Sequence, residues 1–256
     1  MGTPGSQEVA TVARNDVDSG DAMSTLIGVG VGPGDPELVT TRAVRALVEA
    51  DRVMAPATAV DAVGRAESIV RQACPGVAVE RLAFEMTGGE ARAVALAAAA
   101  ERVAVCLDAG ERVAFVTLGD PNVYSTFPAL AGAVRKRRPA TVVETVPGIT
   151  AFQALAARAG TVLLAGTERL RLVTALDGPS ALDLALEDPE AAVVVYKGGR
   201  HLPAMAKRLA DAGRLEGAVA GELLGLPGER VAPAAELAVG PASYLVTLIV
   251  PPAGRR

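Results

Sequence analysis

From Thr25 onward the chain repeats one pattern: a short apolar run, a loop rich in glycine and proline, then a stretch of helical length. The runs are TLIGVGV, RVMA, VAVERLAF, RVAFVTLGD and TVVETVPG. Apolar runs of strand length suggest strands buried on both faces, and helices between successive strands favour parallel pairing. ELVTTRAVRALVEAD is expected to be amphipathic, with Leu38, Val44, Leu47 and Val48 on one face. GGEARAVALAAAAERVAVCLDAG is a long Ala-rich helix stopped by Gly110, since glycine readily takes the left-handed conformation that ends a helix. NVYSTFPALAGAVRKR is expected to be helical throughout. The first half is therefore an α/β unit around a mainly parallel five-stranded sheet.

Beyond TVVETVPG the alternation loosens. ITAFQALAARAG is a helix ending at Gly160, SALDLAL and HLPAMAKRLADAG are further helices, and LRLVTA, AAVVVYK, GAVAGELL and SYLVTLIV are strands. Strand candidates packed closely near the end imply a mixed sheet and a second α/β domain. The expected division is a flexible tail over 1–24, an N-terminal domain over 25–146 and a C-terminal domain over 147–256. The tail lacks the apolar core of a secretory signal and precedes an alternative start at Met23.

Composition narrows the function classes. Half of the 256 residues are hydrophobic and the net charge is −4, which fits a soluble enzyme and argues against a nucleic-acid partner. The basic run RKRRP is a solvated helix end. No apolar run reaches the ~20 residues a membrane-spanning helix needs. Cys74 and Cys106 stand in unrelated contexts and the single histidine, His201, lacks partners at ligand spacing, so no metal site is expected. Two isolated cysteines fit a reducing, cytoplasmic setting.

The loop LIGVGVGPGDPELVT, Leu26 to Thr40, carries four alternating glycines. It is not a phosphate loop, because no lysine follows Gly34 to neutralise phosphates. Nor is it the dinucleotide fingerprint: the third glycine would fall at Pro33 or at Asp35. Asp35 and Glu37 would repel a pyrophosphate, so the loop suits a ligand that is uncharged or positive nearby. TLGDPNVYST and TVPGITAF likewise follow predicted strand ends, where ligands of parallel sheets bind. Asp35 and Asp120 are either helix caps or the acids of a cleft formed by all three loops.

At these loops the chain resembles the tetrapyrrole (corrin/porphyrin) methylase family. GVGVGPGDPELVTTRAVRAL is similar to the family's opening G-x-G-P-G-D motif, TLGDPNVYSTF to its GDP motif, and VETVPGITAFQALAARAG to its V-P-G-I-[ST] motif. Within the family, the Y-S-T-F after GDP, together with GTERLRLV, most resembles the branch that methylates C-20, a meso carbon of precorrin-2. The resemblance implies S-adenosylmethionine as methyl donor, a small-molecule tetrapyrrole substrate, a homodimer, and an active site between two α/β domains. Carried over by motif, Pro33, Leu118, Gly119, Asp120, Val123, Ser125, Thr126, Thr150 and Ala151 contact the donor. Lys197, Leu224 and Thr247 follow by looser alignment, with Lys197 acting through its backbone.

Two positions depart from the family. Pro56 stands where uroporphyrinogen-methylating relatives carry an acid, and Glu85 stands where proline is expected before Met86. Asp35 is then the candidate proton acceptor or pyrrole-orienting group, with simple capping as the alternative. Arg42, Arg81 and Arg169 are candidate clamps for substrate carboxylates. Rival readings are cobalt-bearing or differently positioned corrin substrates, uroporphyrinogen-III, a nicotinamide-dependent oxidoreductase, and a binding module without chemistry.

Overall fold

The computed structural model describes residues 24–59, 61–84, 89–240 and 242–255, so the expectations for residues 1–23 and for Glu85 lie outside the described residues. The first sheet takes its strands from β1 (Thr25–Gly30), β2 (Arg52–Ala57), β3 (Val79–Ala83), β4 (Val113–Thr117) and β5 (Val142–Val146). They lie in the order β3-β2-β4-β1-β5 and every pairing is parallel. Connecting them are α1 (Thr41–Val48), α2 (Arg65–Ala73), α3 (Glu90–Asp108) and α4 (Phe127–Arg137). Both sheet faces are covered. Ala43, Leu47, Ile69 and Val70 of α1 and α2 pack on Ile27, Val29 and Val116. Val103, Leu107, Leu130 and Val134 of α3 and α4 pack on Leu26, Met54 and Phe115. That double cover is why β1 is buried along its whole length.

After α5 (Ala151–Ala159) comes a second sheet of β6 (Arg169–Thr174), β7 (Ala191–Tyr196), β8 (Val219–Glu222), β9 (Arg230–Pro233) and β10 (Val246–Val250). Its order is β6-β7-β10-β8-β9, with β6 parallel to β7 and the remaining pairings antiparallel. Between these strands lie α6 (Ala181–Leu186), α7 (Leu202–Asp211) and α8 (Ala234–Leu237), which cover one face. Leu155 and Ala156 of α5 cover the other, against Val194, Tyr196 and Ile249.

Three local expectations are corrected. Leu38 belongs to a short 3-10 turn, Pro36–Leu38, rather than to α1, which starts at Thr41 with the Thr40 hydroxyl accepting from the Ala43 N–H. Val48 is 65% exposed, so the buried face of α1 is Ala43 and Leu47. The segment after the GDP motif is not helical from Asn122: Tyr124 has φ 47° and α4 begins at Phe127 with Pro128 in its first turn. A left-handed residue cannot continue a right-handed helix. β9 and α8 were not foreseen, because four-residue elements containing or following a proline leave no readable period.

Candidate active site between the two sheets

The loops after β1, β4 and β5 meet backbone to backbone. Gly119 N–H donates to the Gly32 carbonyl at 2.7 Å, and Val31 N–H donates to that of Thr117 at 3.0 Å. A Cβ on Gly148 would sit 2.1 Å from the Gly119 carbonyl oxygen, and one on Gly30 would sit 2.6 Å from the Gly148 nitrogen. Residues without side chains are therefore required for the three turns to touch. Asp120 fastens them: its Oδ1 accepts from Asn122 N–H at 2.8 Å and its Oδ2 from Gly148 N–H at 3.1 Å.

The second sheet closes over this edge. Gly34 and Gly225 pack at backbone distance, with a Gly34 Cβ 2.1 Å from the Leu224 carbonyl oxygen. Across the remaining gap, Lys197 Nζ donates to the Tyr124 carbonyl at 3.1 Å and Tyr124 Oη donates to that of Leu172 at 3.1 Å. Tyr124, Lys197 and Leu223 are the non-glycine residues with positive φ among those described, and all three lie at or beside this seam. Strained conformations of this kind persist where surrounding contacts enforce them, and they cluster at functional sites. Burial lowers the Lys197 amine, with nearby Arg92 adding to the effect, and burial raises the Tyr196 phenol. The Tyr196 hydroxyl accepts from the Phe152 N–H at 3.3 Å, tying β7 to the start of α5.

Between the sheets lies a cavity of about 820 Å³. Pro33, Leu118, Gly119, Asp120, Val123, Ser125, Thr126, Thr150, Ala151, Lys197, Leu224 and Thr247 all line it. The three loops named by the motifs thus border one cavity. Thr150 sits as N-cap of α5, its N–H and hydroxyl both directed at Gln153 Oε1. The Ser125 hydroxyl donates to the Pro121 carbonyl at 2.5 Å and so shapes the loop.

Asp35 is placed elsewhere. Its Oδ1 accepts from Glu37 N–H at 2.9 Å, its Oδ2 faces Arg158 at 3.5 Å, and it does not line the cavity. The capping alternative describes it, and the catalytic expectation finds no geometric support. The expected clamps are also corrected. Arg81 forks onto Glu67, Arg169 pairs with Asp188 and Glu190, and Arg42 is not part of the lining. Residues that sequence reasoning missed are Thr117, Arg65 and Arg200, all of which line the cavity. Thr117 opens the TLGDPNVYST loop already singled out, but the motif resemblance assigned its hydroxyl no contact. It is 2% exposed and its Oγ1 has no hydrogen-bond partner among the described residues.

Two dissimilar α/β sheets facing each other across a cleft walled by three glycine turns define the class. The chain belongs to the Tetrapyrrole (Corrin/Porphyrin) Methylases, whose family model matches residues 25–238. It is 38% identical over 247 residues to the cobalamin biosynthesis protein CobIJ of Mycobacterium tuberculosis (strain ATCC 25618 / H37Rv), covering 92% of this chain and 47% of that one. The chain thus spans about half the length of that relative. It is 35% identical over 243 residues to the precorrin-2 C(20)-methyltransferase of Sinorhizobium sp, covering 91% of this chain and 97% of that enzyme. Among solved structures, the fold is similar to the cobalamin biosynthetic enzyme cobalt precorrin-4 methyltransferase, with a TM-score of 0.66 at 21% identity, over 90% of this chain and 95% of that one.

Proposed function

We propose that this protein is an S-adenosylmethionine-dependent C-methyltransferase acting on the C-20 meso carbon of precorrin-2 to give precorrin-3A. The observation that carries the reading is the convergence of every motif-assigned cofactor residue on one cavity, in a chain that matches a C(20)-methyltransferase over nearly its full length.

The donor fits the residues present. The buried Thr117 hydroxyl without a partner calls for one at the cavity wall. Asp120 brings a carboxylate beside a cationic ligand without a phosphate-binding loop. Val123, Ala151 and Leu224 offer apolar surface for a purine. When bound, S-adenosylmethionine supplies a methyl group on cationic sulfur, open to displacement by an electron-rich carbon. Asp120, Thr117 and the backbone of Gly119 would hold the amino-acid end, while Thr150, Leu224 and Thr247 would hold the adenosine end. The two sheets would fix the approach of one ligand to the other across the cavity. Orientation of this kind can lower a barrier by about 7–11 kcal/mol.

The protein is further proposed to work in the cytoplasm as a homodimer, in keeping with the family resemblance. Light scattering at twice the mass of one chain tests the second point. Activity is tested by incubating the protein with precorrin-2, or its cobalt form, and methyl-labelled donor, then locating the new methyl by NMR. A label on C-20 supports the assignment; a label on another carbon, or none, overturns it.

A further inference from the structure

Many arginines of this chain face carboxylates, whereas exposed Arg42, Arg45, Arg92 and Arg135 form no ion pair among the described residues, and neither do two arginines of the cavity. Arg81, Arg102, Arg138 and Arg169 each face a carboxylate at 2.6–2.7 Å. Arg65 and Arg200 line the cavity, are exposed, and have no carboxylate partner among the described residues. Arg65 opens α2 on the N-terminal side, and Arg200 follows β7 on the C-terminal side. Lys197, three residues before Arg200, is a third cation of the lining. Against these, Asp120 is the one carboxylate among the described lining residues.

Asp120 and Arg65 are separated by the sheet order. Asp120 follows β4 and is bonded to the loop after β5, whereas Arg65 follows β2, on the opposite side of β4 from β1 and β5. Arg65 thus enters the cavity from a different strand end than Asp120, while Arg200 and Lys197 enter it from the second sheet.

We propose that Arg65 and Arg200 are the residues that recognise a polycarboxylate macrocycle, gripping its acid side chains from opposite domains. The inference rests on the methyltransferase reading and adds the residues that select the substrate. Unpaired guanidinium groups suit forked bonding to carboxylates, and they would be left without an ion partner when the substrate departs.

The test uses the full chain, with uroporphyrin III (eight carboxylates) as probe and S-adenosylhomocysteine as control, each titrated separately. Wild-type protein is expected to bind both, with uroporphyrin affinity falling steeply between 50 and 500 mM NaCl, about the range over which exposed charges become screened. Arg65→Met and Arg200→Met are each expected to weaken uroporphyrin about tenfold, while S-adenosylhomocysteine affinity stays within about twofold. Salt-independent uroporphyrin binding overturns the proposal. So do methionine variants that bind uroporphyrin like wild type, or wild-type protein that binds S-adenosylhomocysteine but not uroporphyrin. Wild-type protein that fails to bind S-adenosylhomocysteine instead defeats the methyltransferase reading, and this inference with it.

Discussion

Asp120 Oδ2 accepts the backbone N–H of Gly148 at 3.1 Å, so a single carboxylate joins the loop after β4 to the loop after β5. Its other oxygen takes the Asn122 N–H, which leaves the group held from two sides and aimed into the cavity. Asp120→Ala removes both bonds and the negative charge. Hydrogen bonds to charged groups contribute about 1.5–3 kcal/mol, so S-adenosylhomocysteine should bind about 10- to 100-fold more weakly. Calorimetric titration measures this, and an unchanged affinity would take Asp120 out of the donor site.

Gly148 tests the backbone contact independently of charge. An alanine there puts its Cβ 2.1 Å from the Gly119 carbonyl oxygen, and both partners are main chain, so neither can swing aside. Overpacking of this type costs about 1–3 kcal/mol. Gly148→Ala should therefore lower the melting temperature by about 2–10 °C and weaken donor binding. A variant that melts with wild type would mean the turns do not need to touch.

The parallel sheet and the three-loop site were legible because each followed from a strong periodic or stereochemical signal. β1 and β4 are almost wholly apolar and fully buried, β5 is β-branched apart from Glu144, and their loops carry glycine and proline where main chain must approach main chain. What stayed hidden depends on packing between distant segments. Arg81 and Arg169 could not be told from Arg65 and Arg200 in sequence, because their partners Glu67 and Asp188 are 14 and 19 residues away. The Tyr124 kink was equally invisible, since it is enforced by Leu172 and Lys197 across the cleft. Asp35 and Asp120 occupy matching G-D-P motifs yet differ in role, because only Asp120 faces the cavity.

That difference yields a prediction for Asp35. Its carboxylate caps the 3-10 turn through Glu37 and stands near Arg158, away from the cavity lining. Asp35→Ala should lower stability by about 0.5–2 kcal/mol, the usual contribution of a cap. Methyl transfer by the folded variant should stay within about twofold of wild type, because a general base would account for roughly 10²–10⁴ in rate. A hundredfold loss of turnover with normal stability would restore Asp35 as the proton acceptor.

Glu67 anchors the helix that carries Arg65. Its side chain is fully buried and receives Arg81 Nε at 2.6 Å, Arg81 Nη2 at 3.0 Å and Arg71 Nη2 at 2.6 Å. The Arg81 hydrogen bonds, opposed by burial and assisted by Arg71, hold its carboxyl below the usual glutamate range. A carboxylate whose pKa is depressed on folding adds stability that is fully present above the unfolded value near 4.5 and is lost as pH falls through the folded value. Glu67→Gln should therefore cost about 1.5–3 kcal/mol at pH 7, the scale of charge-assisted hydrogen bonds. The gap between variant and wild type should narrow as pH drops below 4.5. Urea unfolding at pH 7, 5 and 3.5 measures the gap, and a difference that stays constant down to pH 3.5 would show that Glu67 acts by shape rather than by charge.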